Sequence, residues 1–135
     1  MKAVHVAALA SFALLGACAG DVGQYAQPYA LFASEGRQPV EDERIAIVTA
    51  IDGHSVDIRR QDPVPVGTHI VDVSVPGAPG MLEAREERVQ IDARPCVRYY
   101  FAAKRSSPTA RDWHVVVAAA EPIGECVKKY GGGTL

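Results

Sequence analysis

Beyond residue 44, hydrophobic and polar positions alternate with a period of two through most of the chain. Such alternation places successive side chains on opposite faces of a sheet. Ile45, Ile47, Thr49 and Ile51 alternate with Ala46, Val48 and Ala50, a β-branched run that predicts a buried strand. Asp52-Gly53 then predicts a two-residue hairpin turn, since both residue types tolerate positive φ. A return strand over 54–59 directs Val56 and Ile58 inward and Ser55, Asp57 and Arg59 outward. Pro63 and Pro65 interrupt the sheet, and Gly67 permits the turn into a strand over 68–75. There His69, Val71, Val73 and Val75 share one face, opposite Thr68, Ile70, Asp72 and Ser74.

Residues 76–80 form a loop by composition, and 81–87 are polar enough for a solvated loop or a single helical turn. Val89, Ile91 and Ala93 alternate with Gln90 and Asp92 and lead into 94–103, the stretch around which the chain is organised. Cys96, Arg98, Tyr100 and Ala102 lie on one face of this strand and Val97, Tyr99, Phe101 and Ala103 on the other. Both faces are largely apolar, as for a strand covered on both sides. Residues 113–119 predict a further strand, with a short helix as the alternative.

Short strands separated by Gly/Pro turns predict an all-β fold, a small single-domain β-sandwich of about six or seven strands. No helix is required. The expected organisation is a leader over 1–17, a flexible tether over 18–43, the sandwich over 44–128 and a flexible Gly-rich tail over 129–135. Within the tether, Tyr25, Tyr29, Leu31 and Phe32 predict a short piece that docks on the domain or on an interfacial layer.

Composition adds the compartment. Lys2 precedes an apolar run over 3–15, shorter than the roughly 18 residues of a membrane span. Its end, Leu15-Gly16-Ala17-Cys18, resembles the lipobox of bacterial lipoprotein precursors. That resemblance implies cleavage before Cys18, lipidation of Cys18 and membrane attachment through the N-terminal acyl chains. Ala19, in place of an Asp, implies the outer membrane, facing the periplasm, by the same resemblance. A plain secretory signal cleaved near Ala17 or Ala19 is the alternative.

With Cys18 lipidated, Cys96 and Cys126 remain, and an even pair in an oxidising compartment predicts a disulfide. A metal or redox pair would call for C-x-x-C spacing or nearby histidines, neither of which the sequence has. The chain carries 14 basic and 16 acidic residues for a net charge of −2, with the basic ones scattered. No nucleic-acid partner and no polybasic membrane patch is expected from that distribution.

Candidate chemistry is thin. His54, His69 and His114 fall on separate strands without the spacing of metal ligands, so no metal and no cofactor is expected. Ser106 or Ser107 with His114 and Asp112 lacks a nucleophile elbow, and no enzyme is expected. Tyr99, Tyr100 and Trp113 are the candidate binding residues, either as an aromatic patch for a glycan or as packing against the Cys96–Cys126 bridge.

Two further resemblances bear on the mature domain. Val64-Pro65-Val66-Gly67-Thr68-His69-Ile70-Val71-Asp72-Val73-Ser74-Val75-Pro76-Gly77, preceded by Ile51-Asp52-Gly53, resembles a PEGA-type β-sandwich repeat, which implies that architecture. Pro95-Cys96 with Arg98-Tyr99-Tyr100, Asp112-Trp113, Glu121-Pro122-Ile123 and Cys126 is similar to small envelope proteins of proteobacteria with no assigned activity. Neither implies a catalytic residue. The expected function is therefore a lipid-anchored envelope module that binds another envelope protein. A small-ligand or glycan binder using Tyr100 and Trp113 is the alternative.

Overall fold

The structure, a computed structural model, describes residues 26–34, 37–57, 60–75 and 84–135. The leader, Cys18, Ile58, Arg59 and the expected loop over 76–80 lie outside the described residues. Two sheets and one short helix form a small all-β domain with the Cys96–Cys126 disulfide.

The first sheet is built on β8 (Val97–Arg105). Along one edge β8 pairs antiparallel with β9 (Trp113–Pro122). Along the other it pairs parallel with β1 (Tyr29–Ala33) and antiparallel with β2 (Glu43–Ile45). The two share that edge, β1 meeting Arg98 to Tyr100 and β2 meeting Ala102 to Lys104. A two-residue strand, β5 (Val64–Pro65), closes the far side of β1. The second sheet runs β4–β3–β6–β7, all antiparallel, with β3 (Ile47–Ile51), β4 (His54–Ser55), β6 (Gly67–Val75) and β7 (Arg85–Ala93).

The main core lies between the sheets. Ala30, Phe32, Val97, Tyr99, Phe101 and Ala103 face Val48, Val71, Val73 and Val75 across it. The inward set on β6 is the one alternation predicts, and so are the two faces of β8. Opposite that core, Tyr29, Leu31, Cys96, Ile123 and Cys126 form a second cluster under α1 (Gly124–Tyr130). Strands β1 and β8 are thus covered on both faces, which is why they are the most continuously apolar.

Several sequence expectations are corrected. The tether assigned to 18–43 contains β1, all five of whose residues are buried; its alternating side chains fill both clusters at once. The run over 45–51 is two strands in different sheets, parted at the fully buried Ala46, where a small side chain lets the chain cross from β2 to β3. The polar loop over 81–87 is strand from Arg85 onward, because Arg85, Glu86 and Glu87 pair in register with Val75, Ser74 and Val73 of β6, while charged side chains bond across to β9.

The chain end also differs. A helix occupies Gly124–Tyr130, held by the disulfide at Cys126 and by Val127 and Tyr130 packed on the second cluster. Glu125 in its first turn and Lys128 and Lys129 in its last complement the helix dipole. The Gly-rich tail is docked rather than loose: Gly131 N–H bonds Val127 O at 2.8 Å and Gly133 N–H bonds Pro95 O at 3.0 Å.

Candidate functional site

The two sheets meet along β7 of one and β9 of the other, and this margin is the candidate site. At its first end it is clamped. Arg85 Nη2 donates to Trp113 O at 2.6 Å, and Val115 N–H donates to Glu87 Oε2 at 2.7 Å. His114 Nδ1 lies 3.0 Å from Glu87 Oε1. Burial pushes the Glu87 carboxyl upward, but the Val115 N–H, His114 and Arg85 outweigh it and hold the group below the usual carboxylate range. These side chains occupy edge groups of β9 that a partner strand would otherwise use.

At the other end the margin opens into a groove of about 360 Å³. Ile91, Val97, Tyr99, Val117, Ala120 and Leu135 line it, and Gln90, Asp92 and Arg94 form the rim. Between clamp and groove the β8–β9 register slips by one residue, from Tyr100↔Ala119 to Phe101↔Val117. The extra residue on β9, Ala118, is a bulge that turns the strand and leaves Val117 43% exposed at the mouth. Tyr99 makes the floor: its hydroxyl accepts Arg94 N–H at 2.9 Å and donates to Asp92 O at 3.3 Å. Both bonds pin the β7–β8 turn beneath the groove.

The aromatic candidates do not come together. Tyr99 points into the core, whereas Tyr100 points to the opposite face of β8, its hydroxyl donating to Glu121 Oε1 at 2.6 Å. Burial, and then the Glu121 hydrogen bond, raise the Tyr100 hydroxyl above its ordinary range. Trp113 is buried, with the guanidiniums of Arg44 and Arg105 at 5.2 and 5.0 Å from its ring centre. A glycan platform requires an exposed ring face on one shared surface, and these three do not supply one.

The bridge joins Cys96, in the β7–β8 turn, to Cys126 on α1, with Cα atoms 5.3 Å apart and both residues buried. Cys96 has φ of 59° and donates its N–H to Tyr29 O at 2.8 Å. Its carbonyl accepts Ile123 N–H at 2.8 Å, so this one residue ties β1, β8 and α1. A second cavity of about 340 Å³ lies beside it, lined by Tyr29, Glu125, Cys126, Lys129 and Tyr130.

The serine–histidine arrangement is not assembled, because Ser107 Oγ accepts Ala110 N–H at 3.2 Å within its own turn while His114 faces Glu87. The histidines are otherwise placed than their separate strands suggest. His69 is buried, with Nδ1 2.6 Å from Asp52 Oδ2 and Nε2 2.7 Å from Pro65 O. Exposed His54 sits 3.1 Å from Asp52 O, so two histidines converge on one turn residue. Asp52 falls below the usual carboxylate range through the His69 contact and then the Ile70 N–H. The signal for this cluster was present, since His69 lies on the inward face of a valine strand, where a polar ring needs partners.

No protein-family model matches this chain, and neither a curated protein nor a solved structure matches it.

Proposed function

We propose that this protein is a lipid-anchored, non-catalytic docking module of the bacterial cell envelope. It would be held by acyl chains on Cys18, with the outer membrane as its site and the periplasm as the space it faces. The sequence Leu15-Gly16-Ala17-Cys18 supports the anchor, and a buried disulfide suits an oxidising compartment. The observation that carries the docking role is the groove between β7 and β9, an apolar cleft beside the half of β9 beyond the clamp, where among the described strands β9 pairs with β8 alone. An extended segment of another envelope protein fits this geometry: its backbone would continue the sheet past Val117, and an apolar side chain would enter the cleft.

A photo-crosslinking residue at Val117 of the intact lipoprotein should give one discrete adduct in native envelopes. The same residue at exposed Val66, on the β5–β6 corner, should not. Unlabelled Val117, or equal labelling at both positions, overturns the docking reading. Cys18→Ser should abolish lipid labelling and membrane partition; unchanged partition overturns the anchor.

A further inference from the structure

We infer that His69 is a proton-dependent latch that holds the β5 corner against β1. The reasoning is a count of protons and acceptors around one buried ring. Pro65 O is a carbonyl and only accepts, so Nε2 at 2.7 Å must carry a proton to bond it. Asp52 Oδ2, at 2.6 Å from Nδ1, belongs to a carboxylate whose Oδ1 already accepts Ile70 N–H at 2.8 Å. A second donated hydrogen bond from the ring therefore needs a proton on Nδ1 as well. Both contacts hold together only when the ring is an imidazolium, and a neutral ring keeps one of them.

The choice between them follows from acceptor strength. A carboxylate holds a donor better than a neutral carbonyl does, so the neutral ring retains its proton on Nδ1 toward Asp52. Nε2 then presents a lone pair to Pro65 O, and that contact becomes repulsive. The ring is buried and its edge meets Phe32 of β1, centroids 6.0 Å apart, while its partners Asp52 and Pro65 lie at the surface. Among the described residues, Asp52 is the one acid bonded to the ring. His54 approaches the Asp52 carbonyl, and Ile91 lies opposite His69 on β7, with Asp92 opposite Thr68.

The element that gives way is β5. It is two residues long and pairs with β1 only at Tyr29↔Pro65 and Ala30↔Val64. The contact also spans the two sheets, because Pro65 belongs to the first and His69 to the second. Loss of the proton therefore loosens the corner between β5 and β6 and uncovers the edge of β1, while β6 remains held by β3 and β7. The direction follows from the geometry: both contacts are made while the ring carries two protons, and one of them is lost with either proton.

Nitrogen-15 histidine spectra and amide exchange on the full chain, from about pH 5 to about pH 9, test this. His69 should show protons on both nitrogens at the acidic end and on Nδ1 alone at the basic end. Over the same step, exchange at Ala30 and Val64 should rise about tenfold above the base-catalysed trend that Val71 and Val73 follow. Asp52→Asn removes the step, because the Asn amide donates to an unprotonated Nδ1 and its oxygen still accepts Ile70 N–H, leaving Nε2–H for Pro65. Asn also accommodates the positive φ of 50° at this turn. A ring that loses its proton with no change at Ala30 and Val64 overturns the latch. So does an Asp52→Asn protein that keeps the step, or a ring carrying a single proton at the acidic end.

Discussion

Gly133 has no room for a β-carbon. One placed there would lie 2.7 Å from Val127 Cγ2 and 3.1 Å from Pro122 Cβ, and the backbone φ of 78° disfavours any side chain. Valine is stiff in a helix and cannot turn aside. Gly133→Ala should therefore destabilise the domain by roughly 1–3 kcal/mol in urea unfolding, whereas a loose tail would leave the midpoint unchanged. On β6, Val71→Asp and Val73→Asp bury an unpaired charge between the sheets and should prevent folding, as read by loss of amide dispersion. Asp72 between them points outward to Arg88, with bonds of 2.6 and 3.2 Å, and Asp72→Asn should leave the melting temperature nearly unchanged.

Among the elements, β1 decides whether the domain begins near residue 44 or earlier. Phe32 meets the rings of His69, Tyr99 and Phe101 edge-on at 6.0, 5.8 and 5.8 Å, and Leu31 fills the cluster under α1. Phe32→Ala should cost roughly 3–5 kcal/mol, and a chain begun at residue 44 should not fold; a folded spectrum from that truncation would refute the role of β1. The disulfide closes a loop with a sequence separation of 30 and fastens α1 to the turn before β8. The Cys96→Ala/Cys126→Ala pair should lose about 3 kcal/mol, which is about 10 °C in melting temperature for a domain of this size. Melting with and without reductant checks it.

Across the whole molecule, acid should act through carboxylates whose bonds exist only in the fold. Glu43 is held low first by its hydrogen bond to Arg37, at 2.6 Å, against opposing burial; Glu121 is held low by Tyr100 and then Arg98. Because their folded values are depressed, they stabilise the protein above the ordinary carboxylate range. That contribution disappears as pH falls through the folded values. Melting temperature should accordingly decline below about pH 4, and Arg37→Met should shrink the decline. A wild-type curve flat to about pH 3 would show that these pairs do not couple to folding.

Which part of this was decided locally can be traced residue by residue. Period-two alternation over 68–75 and 97–103 was enough for the strands and their inward faces, since a one-residue slip would carry every valine of β6 to the wrong side. Asp52-Gly53 encoded its turn through positive φ, 50° and 79° in the fold. The Cys96–Cys126 bond followed from the expectation that Cys18 carries lipid, which leaves one pair. The rest was settled by partners distant along the chain. Strand β1 is too short to show a period, and becomes a strand because β8 supplies a parallel neighbour and two apolar layers close over it. Charged Arg85 and Glu87 read locally as loop, and become strand because β6 supplies ladder partners in Val75 and Val73 while β9 takes their side chains. The helix at 124–130 is short for an isolated helix and depends on the bridge and the second cluster. The groove and the His69–Asp52–Pro65 contact exist only where two sheets meet, and alternation along one strand carries no information about what stands across from it.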